Sequence, residues 1–135
     1  MITTTKLRTI SYRDALYEAL RGEMERDERV ILLGEDFANG GAFGVAGDLP
    51  ELFGPRRVIS TPISENGFVG VAVGAAMTGL RPVVEIMFMD FIALAMDQLA
   101  NHAAKVHYMY AGQYSVPLVV RTPAGAGRGY GASHS

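Results

Sequence analysis

Four short strand-like runs, apolar for the most part, recur along the chain with helix-like stretches between them: Val30-Ile31-Leu32-Leu33, Arg57-Val58-Ile59-Ser60, Pro82 to Ile86 and Val116 to Val120. No other feature constrains the fold as much. A strand with one wet face alternates apolar and polar residues, whereas a run that is apolar throughout is covered on both faces. Strands of that kind joined by helices form a parallel sheet with a helical layer on each side. The fold class is therefore read as α/β, a three-layer parallel sheet with helices on both faces.

The intervening segments fit this reading. Leu16, Ala19, Leu20 and Met24 recur at helical spacing, so Ser11 to Arg26 is predicted as an amphipathic helix. Ser11 and Asp14 form its N-terminal capping pair, although a full capping box carries Glu or Gln at the second position. Gly67 to Thr78 is predicted as a helix despite poor propensity. Its Gly70 and Gly74 lie one turn apart and allow close packing against another backbone. Asp90 to Tyr110 is predicted as one long helix, with Ile92, Leu94, Ala95, Leu99, Ala103 and Val106 on its inner side. The stretch from Glu35 to Pro55 is glycine-rich and expected to be irregular, with one helical turn near Pro50–Phe53.

Length and charge narrow the function classes. At 135 residues the chain has room for one domain, 1–135, with a real core. A net charge of -2 offers no broad attraction for nucleic acid or anionic lipid. With no cysteine, disulfides, zinc-thiolate sites and thiol nucleophiles are excluded. Lys6 and Arg8 precede Ser11 and Tyr12, not the apolar core of a signal peptide. The longest uncharged apolar stretch, Gly67 to Met77, is too short for a bilayer. A soluble, cytoplasmic protein is expected. The sequence stops at Ser135, directly after the glycine run Gly125–Gly131, so a fragment or a chain completed by a partner is expected.

In a parallel α/β sheet the ligand crevice lies beyond the carboxyl ends of the strands. The informative loops are thus Gly34–Gly41, Thr61–Gly67, Met87–Phe91 and Thr122–His134. Glu65 stands between a strand and a helix that carries no charge through Met77. An apolar neighbourhood raises a carboxyl pKa and suits it to proton exchange near neutrality. The alternative is that Glu65 only caps the helix. His134 ends a glycine loop, where it is either a general acid or base or an exposed histidine without a role. Met87, Phe88, Met89 and Phe91 form an apolar cluster, either core or a platform for a flat heterocycle. His102 and His107 are five apart and do not share a helical face as metal ligands would. The loop Gly125-Ala126-Gly127-Arg128-Gly129 matches neither nucleotide-binding glycine spacing.

Several segments together carry a family resemblance. They are Leu33-Gly34-Glu35-Asp36, Phe53-Gly54-Pro55-Arg56-Arg57-Val58, Thr61-Pro62-Ile63-Ser64-Glu65, Gly74 to Pro82, Asp97-Gln98-Leu99-Ala100-Asn101, Ala103-Ala104-Lys105 and Gly131-Ala132-Ser133-His134-Ser135. This ordered set, from about Thr9 to Ser135, resembles the β subunit of thiamin-diphosphate-dependent 2-oxo acid and acetoin dehydrogenases, in their decarboxylating component. The resemblance implies a transketolase-like pyrimidine-binding domain, with the family's C-terminal domain absent. It implies thiamin diphosphate bound by its pyrimidine end. The diphosphate and Mg2+ are then held by the partner α subunit of an α2β2 heterotetramer. Further implied partners are a small 2-oxo acid, pyruvate or branched-chain, and a lipoyl acyltransferase.

By that resemblance Glu65 is the glutamate that bonds the pyrimidine ring nitrogen and favours the activating tautomer. Phe91 packs on the ring and Met87 lines its pocket. His134 assists the substrate and acyl transfer to lipoyl, and Glu35 belongs to a polar interior connecting paired sites. Ser133 and Ser60 depart from the Gln and Asp usual at their positions. The Met87–Phe91 segment is closer to acetoin-type members, so an acetoin-cleaving β subunit is an alternative, as is a truncated fragment that only binds an α partner.

Overall fold

In the computed structural model, which describes residues 7–127 and 129–135, the four apolar runs lie side by side as one parallel sheet. Lys6 and Arg128, which entered the sequence reading, fall outside those residues. The strands are β1 (Val30–Glu35), β2 (Val58–Thr61), β3 (Arg81–Glu85) and β4 (Val119–Arg121), in the order β2-β1-β3-β4. β4 begins later than the apolar run predicts, after Pro117, which has no N–H to give a ladder. β1 is buried along its whole length, as its unbroken apolar run requires.

Register and pleat decide which face each residue serves. Leu33 lies opposite Val84, Gly34 opposite Glu85 and Glu35 opposite Thr61. Because successive side chains alternate, Ile31, Leu33, Val84 and Ile86 form one core, with Phe68, Val69, Ala72 and Ala95 above it. Val30, Leu32 and Val58 form the other, with Met24, Phe37, Ala46 and Leu49. Glu35, two residues after Leu33, belongs to the first face. Glu85, two after Val83, belongs to the second.

The second face is covered by α1 (Tyr12–Arg26) and α2 (Leu49–Phe53). Ser11 caps α1, its hydroxyl accepting the Asp14 N–H at 3.0 Å, so the capping pair is real. The inner stripe is narrower than its spacing implies, with Met24 buried and Ala19 exposed. Arg57 ties the α1–β1 turn to β2: its guanidinium donates to the carbonyls of Met24, Asp27 and Val30 at 2.9, 2.9 and 2.7 Å.

The first face is covered by α3 (Glu65–Met77), which begins two residues earlier than its sequence pattern indicates. That shift puts Glu65 in the first turn. Gly70 does allow a close approach, but of a side chain, since an added Cβ would lie 3.1 Å from the Gln98 amide oxygen. Gly74 faces open space.

The long helix expected over Asp90 to Tyr110 is not one helix. It divides into a 3-10 helix (Met89–Ala95), a π-helix (Asp97–Ala103) and the short α4 (Val106–Met109). Each change of turn size rotates the following residues off a common stripe, so a single inner face is not maintained. Ala95 and Val106 are buried and Ile92 and Leu99 pack on the core, yet Ala103 is half-buried and Leu94 is 58% exposed. No helix among the described residues is long and apolar enough to cross a membrane.

Candidate functional site

All four strands point their carboxyl ends at the same edge. Glu35 ends β1, Thr61 ends β2, the Ile86–Phe91 loop leaves β3, and Thr122 follows β4. Among the described residues, the buried side-chain polar atoms without a hydrogen-bond partner are Glu35 Oε1, Thr61 Oγ1 and Thr122 Oγ1. Each orphaned buried polar atom costs about 1–3 kcal/mol, and native interiors keep few of them. Here they gather on one edge, the edge where an α/β sheet places its ligand.

Two buried acids stand at this edge. Glu35 and Glu65 are each 6% exposed. Glu35 points to the α3 side of the sheet, where Glu65 opens that helix. Burial pushes the Glu35 carboxyl above the ordinary carboxylate range, and the charges of Glu65 and then Asp36 push it further. A carboxyl whose protonated form is favoured beside a second one is suited to sharing a proton. Glu65 gains from the positive end of α3, so capping and chemistry are compatible at this residue. The tight lead into α3 depends on Gly67, where a Cβ would fall 2.6 Å from the Ser64 hydroxyl oxygen.

The second grouping is aromatic. Phe88, buried after β3, makes edge contacts with Phe43, Phe91, Tyr130 and His134, at centroid separations of 5.5, 5.7, 5.5 and 4.7 Å. Phe91 also meets His134 at 5.2 Å. The Ser133 hydroxyl lies 3.0 Å from His134 Nδ1. His134 is half-buried and in contact with these rings rather than fully exposed. Met87 is half-buried where β3 gives way to this cluster. The structure thus brings Glu35 and Glu65 together, and Phe91 and His134 together. Thr61, Thr122 and Tyr130 lie in loops that the sequence points to, without being distinguished individually there, and Phe43 lies outside those loops.

Behind the edge, on the other face of the sheet, Glu85 is 4% exposed and paired with Arg121 of β4. Gly34 is needed there, because a Cβ would come within 2.9 Å of the Glu85 carbonyl oxygen. A cleft of about 390 Å³, lined by Leu33, Ile59, Thr61, Ser64, Gly67 and Phe68, runs beside the β2–α3 connection. A larger one of about 620 Å³ lies between α1 and β4, bounded by Tyr12, Arg13, Phe43, Arg121 and Thr122. His102 and His107 serve elsewhere: His107 Nδ1 lies 2.9 Å from the Tyr114 carbonyl, and His102 Nε2 lies 3.7 Å from Asp97.

A parallel sheet with polar side chains gathered at its carboxyl edge fits what comparison finds. Residues 8–135 match the family model described as transketolase, pyrimidine binding domain. The chain belongs to this family. It is 51% identical over 127 residues to the pyruvate dehydrogenase E1 component subunit beta of Rickettsia bellii (strain RML369-C), covering 93% of this chain and 39% of that one. It is 50% identical over 127 residues to the mitochondrial form from Bos taurus, covering 93% and 35%. The chloroplastic subunit beta-3 of Arabidopsis thaliana is 49% identical over 123 residues, covering 90% and 30%. This pyrimidine-binding domain therefore spans roughly a third of the length of those relatives, and its likeness to them is that of a β-subunit domain. Among solved structures, a split gene transketolase, described as an inactive beta4 tetramer, has a TM-score of 0.51 at 18% identity, covering 85% of this chain and 34% of that one. That likeness confirms the transketolase-like α/β fold.

Proposed function

We propose that this chain is the pyrimidine-holding half of a thiamin diphosphate site, in the β subunit of the decarboxylating component of a pyruvate dehydrogenase. The observation that carries the reading is the pair of buried acids, Glu35 and Glu65, beside orphaned polar atoms at the carboxyl edge. An aminopyrimidine offers ring nitrogens and an amino group to a carboxylate and hydroxyls placed in this way, so the residues fit the group. Glu65 would bond a ring nitrogen, Phe91 would pack on the ring, and Met87 would line the pocket. When bound, the cofactor supplies the electron sink for decarboxylation. Glu35 stands next to Glu65, and burial together with that neighbouring charge favours the protonated form of its carboxyl. His134 would donate a hydrogen bond to the 2-oxo acid and assist acyl transfer to a lipoyl group.

In this reading the diphosphate and Mg2+ are held by an α subunit, the product acyl group passes to a lipoyl acyltransferase, and 1–135 is a single pyrimidine-binding domain. Pyruvate is favoured among 2-oxo acids, and over acetoin, by the names of the relatives at about 50% identity. The test is thiamin-dependent decarboxylation of pyruvate by the β chain mixed with a cognate α subunit. Glu65→Gln should lower the rate by at least about a hundredfold, the scale of one positioned acid–base group. A Glu65→Gln assembly as fast as the parent would refute the assignment.

A further inference from the structure

The loop that carries His134 leaves β4 and closes against the loop after β3 at two points. At its start the Met89 N–H donates to the Pro123 carbonyl at 3.1 Å. Further along, directly after His134, Ser135 donates to Asp90: its N–H reaches Oδ2 at 2.8 Å, and its hydroxyl lies 2.9 and 2.8 Å from Oδ1 and Oδ2. His134 lies immediately before this second closure. Its ring is set edge-on to Phe88 and Phe91, the residues on either side of Met89 and Asp90. Four consecutive residues, Phe88 to Phe91, therefore supply the ring contacts and both closures of this loop.

We propose that Asp90 is a positioning residue for His134, holding the imidazole at the candidate site by clamping Ser135. The proposal rests on the role assigned to His134 above. Asp90 acts through its neighbour and needs no contact with substrate. A glycine-rich loop has high conformational freedom, and fixing it at one point is what lets a single side chain keep one orientation. The carboxylate accepts from both the backbone and the hydroxyl of Ser135, charge-assisted contacts that are stronger than neutral ones.

Three histidines make the orientation directly measurable. In a protein labelled with 13C-histidine, ring currents from Phe88 and Phe91 should displace the His134 signals from the positions of free histidine. Asp90→Ala should return them most of the way and leave those of His102 and His107 in place, which also reports that the variant is folded. Asp90→Asn, which keeps one acceptor oxygen, should rescue part of the displacement, and Ser135→Ala should lose part of it. In the assembled enzyme, Asp90→Ala should slow acyl transfer to lipoyl at least about tenfold without changing the Kd for thiamin diphosphate. Unmoved His134 signals in Asp90→Ala would overturn the clamp. Moved signals with unaltered acyl transfer would instead overturn the role of His134 on which it rests.

Discussion

At the scale of single residues, the account turns on where a few polar side chains lose water. Glu35 occupies the end of a fully buried strand, and its carboxyl is held above the ordinary range mainly by burial and then by Glu65. Between the unfolded and the raised folded pKa, the folded chain thus keeps a proton that the unfolded chain has released. Stability from this group is fully present below the unfolded pKa and is lost as pH rises through the raised folded value. Urea titrations from acid to mildly alkaline pH should therefore show the parent losing stability more steeply than Glu35→Gln. A variant whose pH dependence matches the parent would contradict the raised carboxyl. Core residues behave more simply: Leu33→Ala, at a site 1% exposed, should cost about 2–5 kcal/mol in the same titrations. The proposed site residues Glu65, Phe91 and His134 are candidates from their local surroundings as well as from the family resemblance, and Glu35 from the resemblance alone. The Asp90–Ser135 contact is not legible in the sequence, since its partners lie 45 positions apart and neither stands out locally.

At the scale of elements, strands read better than helices. A short, mostly apolar run keeps its meaning wherever the strand pairs, and all four are found in one sheet. α1 was legible from both its stripe and its cap, and Ser11→Ala should cost about 1 kcal/mol, seen as a lower thermal midpoint with unchanged circular dichroism at low temperature. The Asp90–Tyr110 stretch reads as one helix because its apolar residues fit a 3.6-residue period closely enough on paper. The structure spends that stretch on three kinds of turn, and the tertiary demand is visible in Gly70, which admits Gln98 of the π-helix against α3. A period measured along the sequence cannot register such a switch. α3 shows the reverse case: a glycine- and alanine-rich segment of poor propensity is helical because Phe68, Val69, Ala72, Val73 and Ala76 are buried on the sheet.

At the scale of the whole molecule, parallel pairing fixes where the strand-end loops meet. Once four strands run the same way, their carboxyl ends share one edge, and the loops that leave them must meet there. The sequence reading identified that edge from strand direction alone. It could not identify which polar atoms would be left without partners, because that depends on register: Glu35 opposite Thr61 faces α3, and Glu85 opposite Gly34 faces away and is neutralised by Arg121. In the function proposed above, this edge holds one end of the ligand and a second protein holds the other. Calorimetric titration of thiamin diphosphate with Mg2+ tests this division most directly, first with the β chain alone and then with a cognate α subunit present. The account predicts binding in the mixture that is lost in Glu65→Gln, and little or none by the β chain alone. Tight binding by the isolated chain, unaffected by Glu65→Gln, would contradict it.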